Sequence, residues 1–467
     1  MSDVQKLTDK PIVTSLTDED YVFTDAGNAV RRITVNNFRK TLNLNDSQVL
    51  NDFAFSLDIN NAGSKGSSYV DVGGNLNMRA MWENSSYDIL MDKNGNYCKL
   101  NRKDARYTED GEIIVNTTTG LLLDKWKNCD IMGVIPKTYG KIQTVVVGSV
   151  TKQLLWLSLV PLPNGFEIPQ QVVGKFKCYK DSAGALRSVP GYVPTADNSL
   201  YGFWGLAQSR SKNHGIANLD FRNLLLWHMM SKYGYRDCQN CKGTDGTPVW
   251  GVGLDGSEGL ASGETAGNNG FTNQRNVKTG ATLSLGRSDG KVAVTLSNGK
   301  TAHCVNVNGF ENPWGQYWEM IGGLCSVGTK VFFWRGNFIP STASNPTEAT
   351  FTNVDHVVLQ RKTSSGLGNM NIIASEDGQG CYMIPKDGSS NTSYGDNYWY
   401  SASGQLWLFG GRSSYASFCG LASSYSDYAS SYSDYAWAYS TSGVSARLAY
   451  YGDIKNVSPS ELARLSS

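Results

Sequence analysis

Hydrophobic positions along most of this chain come in short runs, alternating with polar residues and bounded by Gly, Asn, Asp or Ser. That is the period-two pattern of half-buried strands separated by turns. Residues 20–24 and 30–34 form two such runs around a turn with Gly27 and Asn28, and a short helix is predicted over 35–42. "CDIMGVIPKTYGKIQTVVVG" and "KQLLWLSLVPLP" predict further strands. So do "GATLSLG", "KVAVTLSNGKTAHCVNVN", "KVFFWRGNF" and "HVVLQRK", with "SDGK" and "SNGK" as turns. One stretch departs from this pattern. "LDFRNLLLWHMMSKYGY" sets Leu219, Leu224, Leu225, Trp227, His228 and Met229 among Asp220, Arg222 and Asn223, which predicts a helix stopped at Gly234. His228 in that setting is expected to be a packed core residue rather than a ligand.

The pattern divides the chain into three parts. Residues 1–45 read as a separate hairpin-and-helix module. Residues 46–80 are rich in Asn, Gly and Ser, with "NNAGSKGSS" as a loop, and read as a linker or a thin β-layer. Residues 81–467 form the main body, and the fold class expected is α+β, β-rich. Composition agrees: 50 Gly, 24 Tyr and 12 Trp in 467 residues suit a turn-rich, aromatic, strand-built protein. Charged residues make up 18% and the net charge is +1, so no nucleic-acid partner is expected. No apolar run approaches the ~18 residues of a membrane helix, so no membrane insertion is expected. "MSDVQKLTDK" lacks the basic and apolar regions of a signal peptide, which predicts synthesis in a cytoplasm.

Candidate chemistry is sparse. There is no GxSxG, HExxH, Walker loop or GxGxxG before a helix. Among the cysteines only Cys238 and Cys241 form a CxxC, and no second pair completes a zinc pattern. Buried thiols are the expected state. No catalytic residue, metal or cofactor is therefore expected, and the chain reads as not an enzyme. Paired carboxylates for glycoside hydrolysis are spatial and leave no linear signature.

"SSYSDYASSYSDYAWAYS", residues 423–440, repeats a seven-residue unit built from Ser, Tyr, Asp and Ala. Its a/d positions are not aliphatic, so a coiled coil is not expected. From Tyr398 to Lys455 the chain has no Asn, although Asn is common elsewhere. Upstream, "NGFENPWGQYWEMIGGL" resembles a core signature of the formylglycine-generating-enzyme branch of the C-type lectin fold, through Trp314, Gly315, Tyr317, Trp318 and Glu319. The resemblance implies that Trp318 fills the core and Glu319 holds loop backbone. That family's oxidative chemistry uses two cysteines, and Cys381 and Cys419 do not match its motif, so the fold is implied and the activity is not.

The same branch contains the variable proteins of diversity-generating retroelements, including the major tropism determinant of phage tails. Residues 381–411, with Gly410 and Gly411, are similar to the segment those proteins place before their variable region. Phe418, Gly420 and Leu421 resemble its spacer. Ser445, Ala446, Arg447 and Leu448 resemble its terminal element, with Ser445 in place of the usual Gly. "LWLSLVPLPNGFEI" and "LRSVPGYVPT" are similar to phage-encoded members, and residues 1–45 resemble the N-terminal segments of phage fibre and tail proteins. Mutation of template adenines would turn AAC (Asn) codons into NNC codons. Tyr, Ser, Asp and Thr lie one base away, and Ala two. Trp437 has no NNC codon and reads as fixed.

The resemblance implies a variable region at about 400–450, presenting Ser413, Ser414, Tyr415, Tyr425, Asp427, Tyr428, Tyr432, Asp434, Tyr435 and Tyr439 to a bacterial surface receptor, either glycan or protein. Trp314, Gly315, Trp318, Glu319, Gly410, Gly411, Trp437 and Arg447 would be scaffold. Phe418, Leu421, Trp437 and Leu448 should point inward. The N-terminus would attach to other virion proteins, the protein would be a homotrimer as fibres commonly are, and the location would be the virion. The calcium triplets of C-type lectins, Glu-Pro-Asn and Trp-Asn-Asp, are absent, so no calcium dependence is expected. A surface-glycan depolymerase and a purely structural virion decoration stay open as alternatives.

Overall fold

The computed structural model describes residues 21–25, 30–34, 46–59, 70–260, 262, 270–327, 330–337, 349, 356–360, 366–374, 380–385, 397–400, 406–413, 419, 421, 424–426 and 442–467. These residues form a mixed α+β, strand-rich structure. A seven-stranded central sheet runs in the order His214–Ile216, Leu448–Tyr450, Gln171–Gly174, Asp130–Ile135, Tyr87–Met91, Asn96–Lys99 and Lys455–Asn456. Two of its strands come from the end of the chain. Leu448–Tyr450 is inserted between Gln171–Gly174 and His214–Ile216, with Tyr450 opposite both Val172 and His214. The end of the chain is thus built into the centre of the fold.

The helix Leu219–Tyr233 forms where the spacing predicts it. Asn218 caps its start by accepting from the Phe221 N–H at 3.2 Å. Gly234 ends it in the left-handed region at φ 69°, where glycine carries no Cβ penalty. Every residue from Leu219 to Ser231 is buried, including Asp220, Arg222, Asn223 and His228. A helix buried all round must satisfy its polar side chains internally. His228 Nε2 accordingly lies 2.9 Å from Asp289, and Asp220 receives Arg335 Nε at 2.9 Å.

Residues 46–80 were read as a linker or a thin β-layer. Their described parts form the helix Asp46–Phe53, the strands Phe55–Asp58 and Val72–Gly74, and the start of the helix Leu76–Asn84. Phe55–Asp58 pairs antiparallel with Leu154–Leu157, and Phe55 and Leu57 are fully buried in the same core as Leu155, Leu157 and Phe221. The loop expected at "NNAGSKGSS" lies outside the described residues, and Asn75 caps the helix Leu76–Asn84 by accepting from the Asn77 and Met78 N–H groups at 2.9 and 3.0 Å. One expectation is corrected: "GATLSLG" is not a strand but turns through a short 3-10 helix, Leu283–Leu285. The buried Glu311 carboxylate accepts from the Gly280 and Thr282 N–H groups and the Thr282 hydroxyl, drawing this backbone inward instead of into a ladder.

The hairpin of residues 20–34 is present as Tyr21–Asp25 paired with Val30–Thr34, and the helix expected over 35–42 lies outside the described residues. The helix Leu200–Arg210 was not foreseen. Its two glycines weaken the helical signal, and it is held by the Ser199 cap and by burial of Leu200, Phe203 and Ala207.

A chain starting at residue 81 should therefore fail where one starting at residue 46 succeeds. Losing Phe55 and Leu57 alone removes about 1.5–3 kcal/mol each, from a total of about 5–15 kcal/mol. Thermal unfolding of both truncations checks this: the shorter chain should aggregate or lose its cooperative transition, and the longer one should keep it.

Candidate functional site

The Tyr/Ser/Asp-rich stretch is attached to a second seven-stranded sheet. Its order is Cys381–Pro385, Gly366–Ala374, Asn397–Tyr400, Ser424–Ser426, Leu408–Phe409, Trp318–Met320 and Val444–Ser445. Ser424–Ser426 lies parallel to Asn397–Tyr400 and antiparallel to Leu408–Phe409, so the Tyr425 backbone sits opposite Trp399 on one side and Leu408 on the other. Val444–Ser445 lies parallel to Trp318–Met320. The chain leaves the sheet at Ser426 and returns at Val444, about three strand spacings or ~14 Å away. Ser414, Tyr415, Asp427, Tyr428, Tyr432, Asp434, Tyr435, Trp437 and Tyr439, with Phe418 and Gly420, lie outside the described residues, as does the Tyr425 side chain.

The entry to this stretch is pinned. Gly410 and Gly411 adopt φ 90° and 75°, and a Cβ on Gly411 would stand 2.6 Å from Cys419 Sγ. Cys419 Sγ donates to the Arg412 carbonyl at 3.1 Å. The Leu421 N–H donates to Cys238 Sγ at 3.3 Å, and its carbonyl accepts from Arg222 Nη2 at 2.7 Å. The Leu421 side chain is buried in the main core, as expected. Ser413 is the exception to the proposed surface set and is corrected here. It is fully buried, and its N–H donates to the Gln316 carbonyl at 3.4 Å. A side chain facing that loop contributes nothing to an exposed surface.

The exit is pinned as firmly. The Trp318 N–H donates to the Gly443 carbonyl at 3.0 Å, the Cys178 N–H to the Ala446 carbonyl at 2.9 Å, and the Ala217 N–H to the Arg447 carbonyl at 2.9 Å. A Cβ on Gly443 would come 2.5 Å from Arg412 Nη1, so entry and exit pack against each other. Val444, Ser445, Ala446, Arg447 and Leu448 are all buried.

Beneath both ends lies one carboxylate. Glu319 Oε1 accepts from Arg447 Nη2 at 2.7 Å and from Lys177 Nζ at 2.9 Å, while Oε2 stands 3.4 Å from Arg222 Nη1. All four side chains are essentially inaccessible to solvent. Burial alone would raise the Glu319 carboxyl, but Arg447, Lys177 and Arg222 outweigh it and hold it down at about 2. Burial lowers the Lys177 ammonium to about 8 against the pull of Glu319, helped by repulsion from Arg447. Glu319 was expected to hold loop backbone. It holds three cations instead, and these hold the backbone: Arg447 donates to the carbonyls of Lys175 and Glu311 at 2.7 and 2.9 Å, and Lys177 to that of Asn312.

Trp314 and Trp318 are buried, as scaffold residues should be. Trp314 Nε1 donates to the Val252 carbonyl at 3.1 Å, and its ring meets Trp250 edge-on at 5.8 Å. Gly315 is required at φ 71°, because a Cβ there would meet the Leu254 carbonyl oxygen at 2.5 Å. Lys177 and Arg222 were missed by the sequence reading. Each is a cation set in an apolar string, "GKFKCYK" and "LDFRNLLL", and that placement was the available signal. Among the described residues no group of three or more His, Cys, Asp or Glu side chains is arranged to hold a metal ion. No protein-family model matches the chain, and no curated protein matches it in sequence.

Replacing Glu319 by Gln leaves three buried cations without their counter-charge and should cost about 3–5 kcal/mol. The effect has a defined pH course. The folded value of about 2 lies below the ordinary 4.5, so the stabilisation is complete above 4.5 and fades as pH falls toward 2. Urea titrations of both proteins should show the widest gap near neutrality and a narrowing gap in acid. A constant gap would remove the ionised carboxylate from this role.

Proposed function

We propose that the chain is a receptor-binding protein of a phage virion, fibre- or tail-associated, that recognises the bacterial surface through the Tyr/Ser/Asp-rich stretch. The observation that carries the reading is the double anchoring of that stretch. Its two flanks are held by buried side chains and backbone ladders, through Leu421 and the strand Ser424–Ser426 on one side and through Val444–Leu448 on the other. A scaffold anchored this way tolerates change between its anchors. A C-type lectin-like body of the formylglycine-generating-enzyme kind and residues 1–45 as the virion attachment belong to the same reading.

The chemistry of the stretch suits recognition. Tyrosine offers a large contact area with few rotors and a polar hydroxyl, and serine adapts its hydrogen bonding to varied partners. Such residues serve a surface that must change its target without changing its support.

The quadruple replacement of Tyr428, Tyr432, Tyr435 and Tyr439 by Ser tests this. Tyr425 is kept because its backbone completes the ladder. Stability should stay within about 1 kcal/mol, as for surface changes, while adsorption of the protein to host cells falls at least about tenfold, as for loss of aromatic anchors. Loss of the fold before loss of adsorption would overturn the reading. Release of sugar products from purified capsule would replace it with a depolymerase.

A further inference from the structure

Among the described residues, the strand His214–Ile216 is the outermost of the central sheet, and it lies along the terminal strand. Gly215 stands opposite Ala449 and Ile216 opposite Leu448, and the Ala217 N–H donates to the Arg447 carbonyl at 2.9 Å. This strand therefore holds the exit of the Tyr/Ser/Asp-rich stretch from outside. It begins at an imidazole. His214 is fully buried, and its ring meets that of Tyr450 at 70°, centroids 5.0 Å apart. Nδ1 shares a hydrogen bond with the Ser211 hydroxyl at 2.7 Å. Nε2 is buried and has no hydrogen-bond partner among the described residues. Either neutral tautomer is thus held through Nδ1 alone. A second proton would put a charge and a new donor where neither is met, which is costly in a buried site.

The charged groups around the ring offer no relief. Asp130 and Arg187 come from the strands Asp130–Ile135 and Leu186–Arg187, Arg210 from the helix Leu200–Arg210, and Asp92 from the turn after Tyr87–Met91. Asp130 is already engaged. Its Oδ1 accepts from Arg187 Nε at 3.0 Å and the Ser188 N–H at 2.8 Å, and its Oδ2 accepts from Arg210 Nε at 2.9 Å. Asp92 Oδ1 accepts from the Asn94 and Asn96 N–H groups at 2.8 and 3.0 Å, and Oδ2 from Asn96 Nδ2 at 2.8 Å. Two carboxylates and two guanidiniums cancel, so a protonated ring would be an uncompensated third cation. Burial pushes the imidazole down to about 4 against the pull of Asp130, and Arg210 and Arg187 add to the fall.

We propose that His214 is an acid-operated latch: a proton on its ring drives residues 214–217 off the terminal strand and loosens the exit of the stretch. The terminal strand keeps its pairing with Gln171–Gly174, so the body behind it stays folded. The direction follows from linkage. The folded value of about 4 lies below the ordinary 6.5, so the hold of the neutral ring is complete above 6.5 and is lost as pH falls toward 4. This inference goes beyond the receptor-binding reading and stands whether or not the Tyr/Ser/Asp stretch binds a receptor.

The test uses the full chain and reads amide hydrogen exchange, corrected for the intrinsic effect of pH. Between about pH 7 and about pH 4.5, exchange at residues 214–217 should speed up about fiftyfold, the ratio that linkage gives for a ring moving from 6.5 to about 4. The helix Leu219–Tyr233 should keep its protection. His214→Asn leaves Ser211 a hydrogen-bond partner but takes up no proton, and it should abolish this acid response. If that variant fails to fold, the isotope-labelled native chain reports the ring's own titration by nuclear magnetic resonance, the ring being recognised by its contact with Tyr450. It should stay neutral down to about pH 4. A ring that titrates near 6.5, an Asn variant with the native acid response, or exchange that rises equally in the helix Leu219–Tyr233 would overturn the proposal.

Discussion

The Glu319 carboxylate is the contact on which the rest of the arrangement depends. It joins the buried helix through Arg222, the end of the central strand pair through Lys177, and the terminal segment through Arg447. These elements are far apart in sequence. One negative and three positive groups do not balance, and the Lys177 ammonium is pushed down rather than up, by burial first and by repulsion from Arg447 after it. A buried ion pair is weak evidence for stability as such, because desolvation offsets much of the attraction. Its consequence here is uniqueness. An apolar core could slide by a residue, whereas a carboxylate that must meet three cations, which in turn must meet the carbonyls of Gly174, Lys175, Glu311, Asn312, Pro313 and Leu421, cannot.

A second polar layer lies beside it. Lys175, two residues before Lys177, donates to Asp88 at 2.7 Å and to the Gly286 carbonyl at 3.0 Å, and Arg287 Nη1 donates to the same Asp88 at 2.8 Å. Lys175 and Lys177 both lie buried in the bend that follows the strand Gln171–Gly174. Together they tie Asp88, the Gly286 and Gly309 turns and Glu319 to one short stretch of backbone. The irregular loops of the body are therefore held from within by charge, which explains how so much turn-rich sequence is ordered without long helices.

Legibility in the sequence followed period. The helix Leu219–Tyr233 was read to its cap, because both its apolar spacing and its Gly stop are local signals. The hairpins Gly290–Thr295 with Thr301–Val307 and Tyr21–Asp25 with Val30–Thr34 were read for the same reason. Misreadings arose where a distant group overrides local preference. Leu283–Leu285 would have been a strand but for Glu311, more than twenty residues away. Phe55–Asp58 lies in a polar neighbourhood and becomes core only because Leu154–Leu157 pairs with it. Of the site, Trp314, Trp318, Leu421 and Arg447 were legible as buried. The roles of Lys177 and Arg222 were not, since a charged residue inside a hydrophobic string states that a partner exists but not which one.

Ser413 shows where composition stops being informative. Serine is one base from an Asn codon, and it is also a small residue that packs well, so the same letter suits a mutable position and a fixed one. Burial separates the two: Ser413 faces Gln316 and belongs to the frame. Gly443 makes the same point at the far end. A glycine codon is reachable by the same mutations, yet a Cβ at this position would collide with Arg412. Arg412 lies before the stretch and Gly443 after it, so the two ends close on each other. The frame thus extends through Leu421 and the strand Ser424–Ser426 on one side and resumes at Gly443 on the other, and any constraint on variation should rise at those two boundaries.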